Sequence, residues 1–98
     1  MKLITKAIEK KAIEQYPMGS DMEQMVVAKY FHPCSNWTWY LMNMDGDYCW
    51  GIVDGNAVET GSFNMSELSS LKVMGLGIER DMYFEPVKAK ELWEELNK

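Results

Sequence analysis

Positive charge is scarce in this chain: ten Lys and Arg face fifteen Asp and Glu over 98 residues, a net charge of −5. A nonspecific nucleic-acid binder neutralises phosphates with a basic footprint, and an anionic lipid surface attracts polybasic segments. Nucleic acid and membrane are therefore both disfavoured as partners. Histidine occurs once, at His32, and cysteine twice, at Cys34 and Cys49. Two cysteines do not make a disulfide framework, and no C-x-x-C or C-x-H spacing offers a zinc site. Asp45-Gly46-Asp47 lacks the remaining ligands of a calcium loop. Gly75-Leu76-Gly77 lacks the third glycine of a dinucleotide fingerprint and the strand that should precede it. No metal or cofactor is expected. No apolar run reaches the length of a membrane span. The opening MKLITKAIEKKAIEQYP carries charge throughout, unlike a secretory signal. These absences imply a cytoplasmic protein with free thiols and a single domain, 1–98.

The chain is rich in large aromatics, concentrated in one stretch. SNWTWYLMNMDGDYCWGIVDG, residues 35–55, holds three of the four tryptophans. The same stretch carries the clearest fold signal. Met25 to Phe31 (MVVAKYF), Asn36 to Met44, Asp47 to Val53 and Ala57 to Phe63 are rich in β-branched and aromatic residues and read as strands. Asp45-Gly46 between the second and third is a tight hairpin signal, since a type I′ turn needs positive φ at both central residues. Asp54-Gly55-Asn56 makes the next turn.

Helices are expected at both ends and after the fourth strand. Ile4, Ile8 and Ala12 recur at i+4 spacing after a candidate cap at Thr5, and Pro17 and Gly19 end that helix. Asn64-Met65-Ser66-Glu67 reads as a capping arrangement for a short helix to about Lys72. Residues 75–77 read as a loop. Pro86 suits the first turn of a last helix with Ala89, Leu92, Trp93 and Leu96 on its apolar stripe. The fold class is α+β: a four-stranded antiparallel meander packed with an N-terminal, a short middle and a C-terminal helix. Residues 78–84 are the candidate fifth, edge strand. The expected core is Val27, Trp39, Leu41, Trp50, Ile52, Phe63, Leu68, Leu71, Phe84 and Leu92.

If Asp45-Gly46 is the hairpin loop, Leu41 pairs with Trp50, and Tyr40 lies across from Gly51 and covers its bare backbone. Side chains alternate across a sheet. One face then carries Trp37, Trp39, Leu41, Tyr48, Trp50 and Ile52. Either that face is the core beneath the helices, or Trp37 and Trp39 stay open as an aromatic platform for a partner. Arg80, in the triplet Glu79-Arg80-Asp81, would pair with an acid on the sheet, Asp54 or Glu59. The candidate binding residues are Trp37, Trp39, Tyr40, Asp54, Arg80 and Tyr83; none is assigned to catalysis or to metal.

Five motifs appear in order: S-N-W-T-W-Y at 35–40, G-x-V-D-G at 51–55, E-x-G-x-F at 59–63, S-E-L at 66–68 and I-E-R-D-x-Y-F at 78–84. With them the chain resembles a small domain-of-unknown-function family found in bacteria, phages and conjugative plasmids. The resemblance implies a mobile-element context and carries over no catalytic residue. It points to a noncatalytic protein-binding module, an inhibitor of a host defence complex or nuclease, whose partner is a host or element-encoded protein. Two alternatives stand beside it: single-stranded nucleic-acid stacking on Trp37, Trp39 and Tyr40, and a small enzyme using Cys34 with His32. An exposed edge strand also allows a homodimer in place of a monomer.

Overall fold

The computed structural model describes residues 2–98. Helix α1 spans Lys6–Glu14, and Thr5 caps it: its side-chain oxygen accepts from the Ile8 N–H at 3.2 Å. Ile4, Ile8 and Ala12 pack into the core as their spacing predicts. One 3-10 turn, Tyr16–Met18, follows with Pro17 inside it, and Gly19 reverses the chain at a φ of +54°.

All four expected strands form. They are β2 (Ala28–Phe31), β3 (Thr38–Asp45), β4 (Tyr48–Asp54) and β5 (Val58–Asn64), preceded by the two-residue β1 (Met25–Val26). Helix α2 (Met65–Ser70) leads into a small hairpin of β6 (Lys72–Val73) and β7 (Leu76–Gly77), where the sequence suggested a loop. β8 (Glu79–Arg80), β9 (Val87–Lys88) and α3 (Ala89–Leu96) complete the chain. The main sheet has the order β5-β4-β3-β2-β8, antiparallel at every pairing. The architecture is α+β, with the fifth strand at Glu79–Arg80.

The apolar run 25–31 is divided at Val27: β1 pairs with β9, while β2 joins the main sheet. Pro86 does not open α3, because Val87 and Lys88 first extend beside β1. The α2 cap also differs from expectation. Asn64 makes no side-chain bond to the helix backbone and instead donates to Glu67 Oε1 at 2.7 Å. Asp47, in the β3–β4 turn, accepts the Ser66 N–H at 2.7 Å and the Ser66 hydroxyl. A carboxylate at a helix start satisfies an orphan donor and suits the helix dipole.

The register decides which tryptophan faces which way. The turn is Gly46-Asp47, flanked by the Asp45–Tyr48 pair, one residue later than the sequence suggested. Near the turn, Asn43 pairs with Trp50; past a bulge between Leu41 and Asn43, Leu41 pairs with Gly51, Tyr40 with Ile52 and Trp39 with Val53. The extra residue on β3 shifts the pairing by one, which exchanges the faces of one strand relative to the other. Trp50 and Ile52 therefore lie on the side opposite Trp39 and Leu41. Gly51 makes the bulge possible: a Cβ there would stand 1.8 Å from the Tyr40 carbonyl oxygen. Glycine here permits close backbone approach and is not a gap that Tyr40 covers.

Both faces are consequently packed. On one, Tyr30, Trp39, Leu41, Met44 and Cys49 meet α1, Leu68 of α2 and Ile78. On the other, Val26, Tyr40, Met42 and Ile52 meet Phe84, Trp50 and the apolar stripe of α3. Of the expected core, Val27, Trp39, Leu41, Ile52 and Leu68 are buried, whereas Leu71 is exposed.

A polar network ties the entry of the sheet to α1. Gln15, buried, donates to the carbonyls of Met25 (2.9 Å) and Met42 (2.7 Å) and accepts the Met25 N–H at 3.0 Å. Gln24, also buried, donates to the carbonyls of Gly19 and Asp21 and accepts from Asn43. Each amide replaces a ladder partner that the irregular backbone of 19–25 cannot supply, which is how buried polar groups are tolerated.

Candidate functional site: an aromatic cleft beside the 72–77 hairpin

The α1 side of the sheet is not covered along its whole length. α1 packs over β3, the N-terminal residues reach β2 where the Tyr30 hydroxyl donates to the Leu3 carbonyl, and α2 packs on β5. Between them and the β6–β7 hairpin lie two adjoining cavities. One, of about 440 Å³, is lined by His32, Ser35, Trp37, Trp39, Leu71 and Val73. The other, of about 630 Å³, is lined by Trp39, Phe63, Leu68 and Leu71 together with Ser62, Asn64, Glu67, Ser70 and Lys72. Trp39 and Leu71 belong to both, so the two form one cleft.

Local chemistry builds each wall. Trp37 precedes β3 and lies against Gly55 in the β4–β5 turn, where a Cβ would come within 2.6 Å of the indole ring. Its ring centroid is 6.0 Å from that of Trp39, tilted by 31°. Trp39 is buried, while Trp37 remains 40% exposed. Opposite them, α2 stops at Leu71, whose ψ of 123° turns the chain into the hairpin. Met74 and Gly75 form its tip, both with positive φ (55° and 79°). Such a turn ordinarily takes Asn, Asp or Gly at both positions. A bulky methionine in the left-handed region is strained, and this one is 86% exposed.

His32 holds the hairpin to the sheet. Its Nδ1 accepts the Cys34 N–H at 3.0 Å, which leaves Nε2 to donate to the Leu76 carbonyl at 2.9 Å. The ring is buried. Both nitrogens engage backbone groups, so neither is directed at the exposed Cys34 thiol, and the Cys–His pairing has a structural explanation. Cys49 is buried, and burial, reinforced by the Asp47 charge, pushes its thiol up to about 11. Such a thiol is unreactive near neutral pH. Among the described residues no group of three His, Cys, Asp or Glu side chains is placed to hold a metal ion, and no helix is long and apolar enough to cross a membrane.

The six candidate binding residues do not form one surface. Trp37 and Trp39 share the cleft. Tyr40 points to the opposite face by strand alternation, packed near Phe84, with Lys29 Nζ 5.9 Å from its ring centroid. Burial, and then the charges of Asp54 and Asp81, raise its phenol above the usual range. A three-aromatic stacking platform of Trp37, Trp39 and Tyr40 is thereby ruled out. Asp54, half-buried, ends β4 across from Thr38. Arg80 lies on β8, at the far edge from β5; its Nε donates to the Lys2 carbonyl at 3.1 Å. Three strand spacings, about 14 Å, separate β8 from β4, so Arg80 is not the partner of Asp54 or Glu59. Tyr83 is 94% exposed in the turn after β8.

Sequence reasoning placed Leu71 in the core, where it is in fact exposed, and missed Val73 as a lining residue. The overlooked signal was K-V-M-G-L-G at 72–77: Val73 and Leu76 on either side of a Met74-Gly75 turn.

A family model described as "Protein of unknown function (DUF2958)" matches residues 2–97. The chain belongs to the DUF2958 family. Searches of the curated proteins and of the solved structures find no match to it. The DUF2958 match spans α1, the meander, the cleft and α3 alike, in keeping with the resemblance seen in the motifs.

Proposed function

We propose that this DUF2958 protein is a noncatalytic protein-binding module that receives apolar side chains of a partner in the Trp37–Leu71 cleft. One observation carries the reading: Trp37, Leu71 and Val73 are each about two-fifths exposed and line a common concave, almost wholly apolar wall. A small protein gains stability by burying such residues, so a cleft that leaves them open points to a surface completed by another molecule. Tryptophan backed by aliphatic neighbours is the composition of interface anchors.

The partner we assign is a host or element-encoded protein. The support for this is the resemblance of the motifs to a family found in bacteria, phages and conjugative plasmids, an associational argument, together with the acidic charge. Inhibition of a host defence complex or nuclease, in the cytoplasm, is the role that fits that context. Nucleic-acid stacking has weaker support, because such binding needs a cationic groove and, among the described residues, Lys72 is the one Lys or Arg lining the cleft.

The test is affinity capture from a lysate of the encoding cells with wild-type protein and with Leu71→Glu. A stoichiometric protein partner lost with Leu71→Glu supports the cleft. Capture that Leu71→Glu leaves unchanged overturns it.

A further inference from the structure

We propose that the partner binds as an extended segment added to the free edge of β5, with an apolar side chain entering the cleft beside Gly61 and basic residues meeting Glu59 and Glu67. This deepens the cleft reading and rests on it.

β5 is the outer strand of the main sheet, and all seven of its residues pair with β4 without a bulge. Natural edges are blunted by proline, lysine, bulges or a covering element. Val58-Glu59-Thr60-Gly61-Ser62-Phe63-Asn64 has one charge and none of the other devices. Among the described residues no strand pairs with its outer side.

The direction of its backbone groups follows from the turn beside it. Met65 donates its N–H to the Asp47 carbonyl at 3.0 Å, on the β4 side. Direction alternates along an antiparallel strand. Phe63, Gly61 and Glu59 therefore turn their N–H and C=O groups towards β4, and Val58, Thr60 and Ser62 turn theirs to the open edge. Side chains alternate as well: Phe63 packs on the cleft side and Val58 on the α3 side. Gly61 shares the Phe63 face, and a Cβ there would meet nothing within 4 Å. An added strand thus finds backbone partners at Thr60 and Ser62, and room above Gly61 for a side chain that reaches the cavity of Phe63 and Leu71.

Charge selects the occupant. Glu59 shares that face, and Glu67 lines the cavity; among the described residues neither is in an ion pair. The rim is therefore net acidic despite Lys72, and it complements a segment that alternates apolar residues with Lys or Arg. Strand addition of this kind draws affinity from main-chain bonds and specificity from alternate side chains.

The experiment is selection of binders from a displayed library of random linear peptides, followed by titration of the enriched peptides against wild type, Ser62→Pro, Ser62→Ala and Leu71→Glu. Proline at position 62 removes an outward N–H and no bond to β4, and circular dichroism checks that each variant is folded. The expected result is enrichment of apolar residues alternating with Lys or Arg, a loss of about tenfold or more in affinity with Ser62→Pro, and little change with Ser62→Ala. Failure to enrich any peptide, or enriched peptides indifferent to Ser62→Pro, overturns strand addition. If those peptides still respond to Leu71→Glu, the cleft reading survives alone. A wild-type dimer that Ser62→Pro converts to monomer assigns the edge to a second copy and overturns the proposed occupant.

Discussion

Trp37 lies against Gly55, close enough that a single added methyl would stand 2.6–2.7 Å from three carbons of the indole. The contact fixes one wall of the cleft without burying the ring. Gly55→Ala therefore displaces Trp37 while leaving the β4–β5 ladder intact. The expected outcome is a shift in tryptophan emission and at least a severalfold loss of partner affinity, with stability lowered by about 1 kcal/mol. Titration and a urea melt on the same variant separate the two effects.

Gly51→Ala has a different character, because the added Cβ meets backbone. It would fall 1.8 Å from the Tyr40 carbonyl oxygen, so the bulge itself must open. Overpacking that side chains cannot relieve costs about 3 kcal/mol or more. A folded, soluble Gly51→Ala protein with an unchanged melting midpoint would contradict this register.

The glutamine network makes a third prediction. Gln15→Ala leaves the Met25 N–H and two carbonyls without their partner, and unsatisfied buried groups cost about 1–3 kcal/mol each. The expected loss is about 3 kcal/mol or more, the low end for three orphaned groups, and hydrogen exchange at Met25 should accelerate. Lys10→Ala, on an exposed part of α1, serves as the control and should change stability by less than about 0.5 kcal/mol.

Alkaline pH should destabilise the fold. Burial raises the Cys49 thiol from its ordinary 9.0 to about 11, and burial lifts the Tyr30 phenol further still, with Cys49 adding to it and Arg80 pulling back. Both groups are neutral in the native state. The unfolded chain loses these protons first, so the Cys49 contribution is complete below pH 9 and is lost as pH rises through about 11, and that of Tyr30 is lost only at higher pH still. Urea midpoints should fall across that window. In native protein near neutral pH a thiol reagent should label Cys34, and should reach Cys49 only on unfolding.

His32→Ala removes a side-chain bond that holds Leu76 to the sheet. The 72–77 hairpin should then exchange its amides faster than the meander does, with weaker partner binding and preserved β-sheet circular dichroism. Protection of the hairpin equal to wild type would show that strand packing alone positions it.

Local chemistry made much of this protein legible from sequence. The i+4 stripe and Thr5 gave α1, and the Asp-Gly turn signals gave the meander. Those signals act between residues close in the chain, and they need no partner from elsewhere. The likeness to a family of unknown function was legible for the same reason. What tertiary structure alone decided was the sidedness of the sheet. A one-residue bulge at Leu41–Asn43 sent Trp50 and Ile52 to the α3 side, divided the aromatics between two cores, and left Trp37 with Leu71 rather than Tyr40. Composition carries no mark of that bulge beyond Gly51, because its cause is the approach of two backbones. The Asp47 cap on α2 and the His32 hook on Leu76 are likewise bonds across 19 and 44 residues of chain. Such contacts exist only once the meander has brought their ends together, and it is they that shape the cleft.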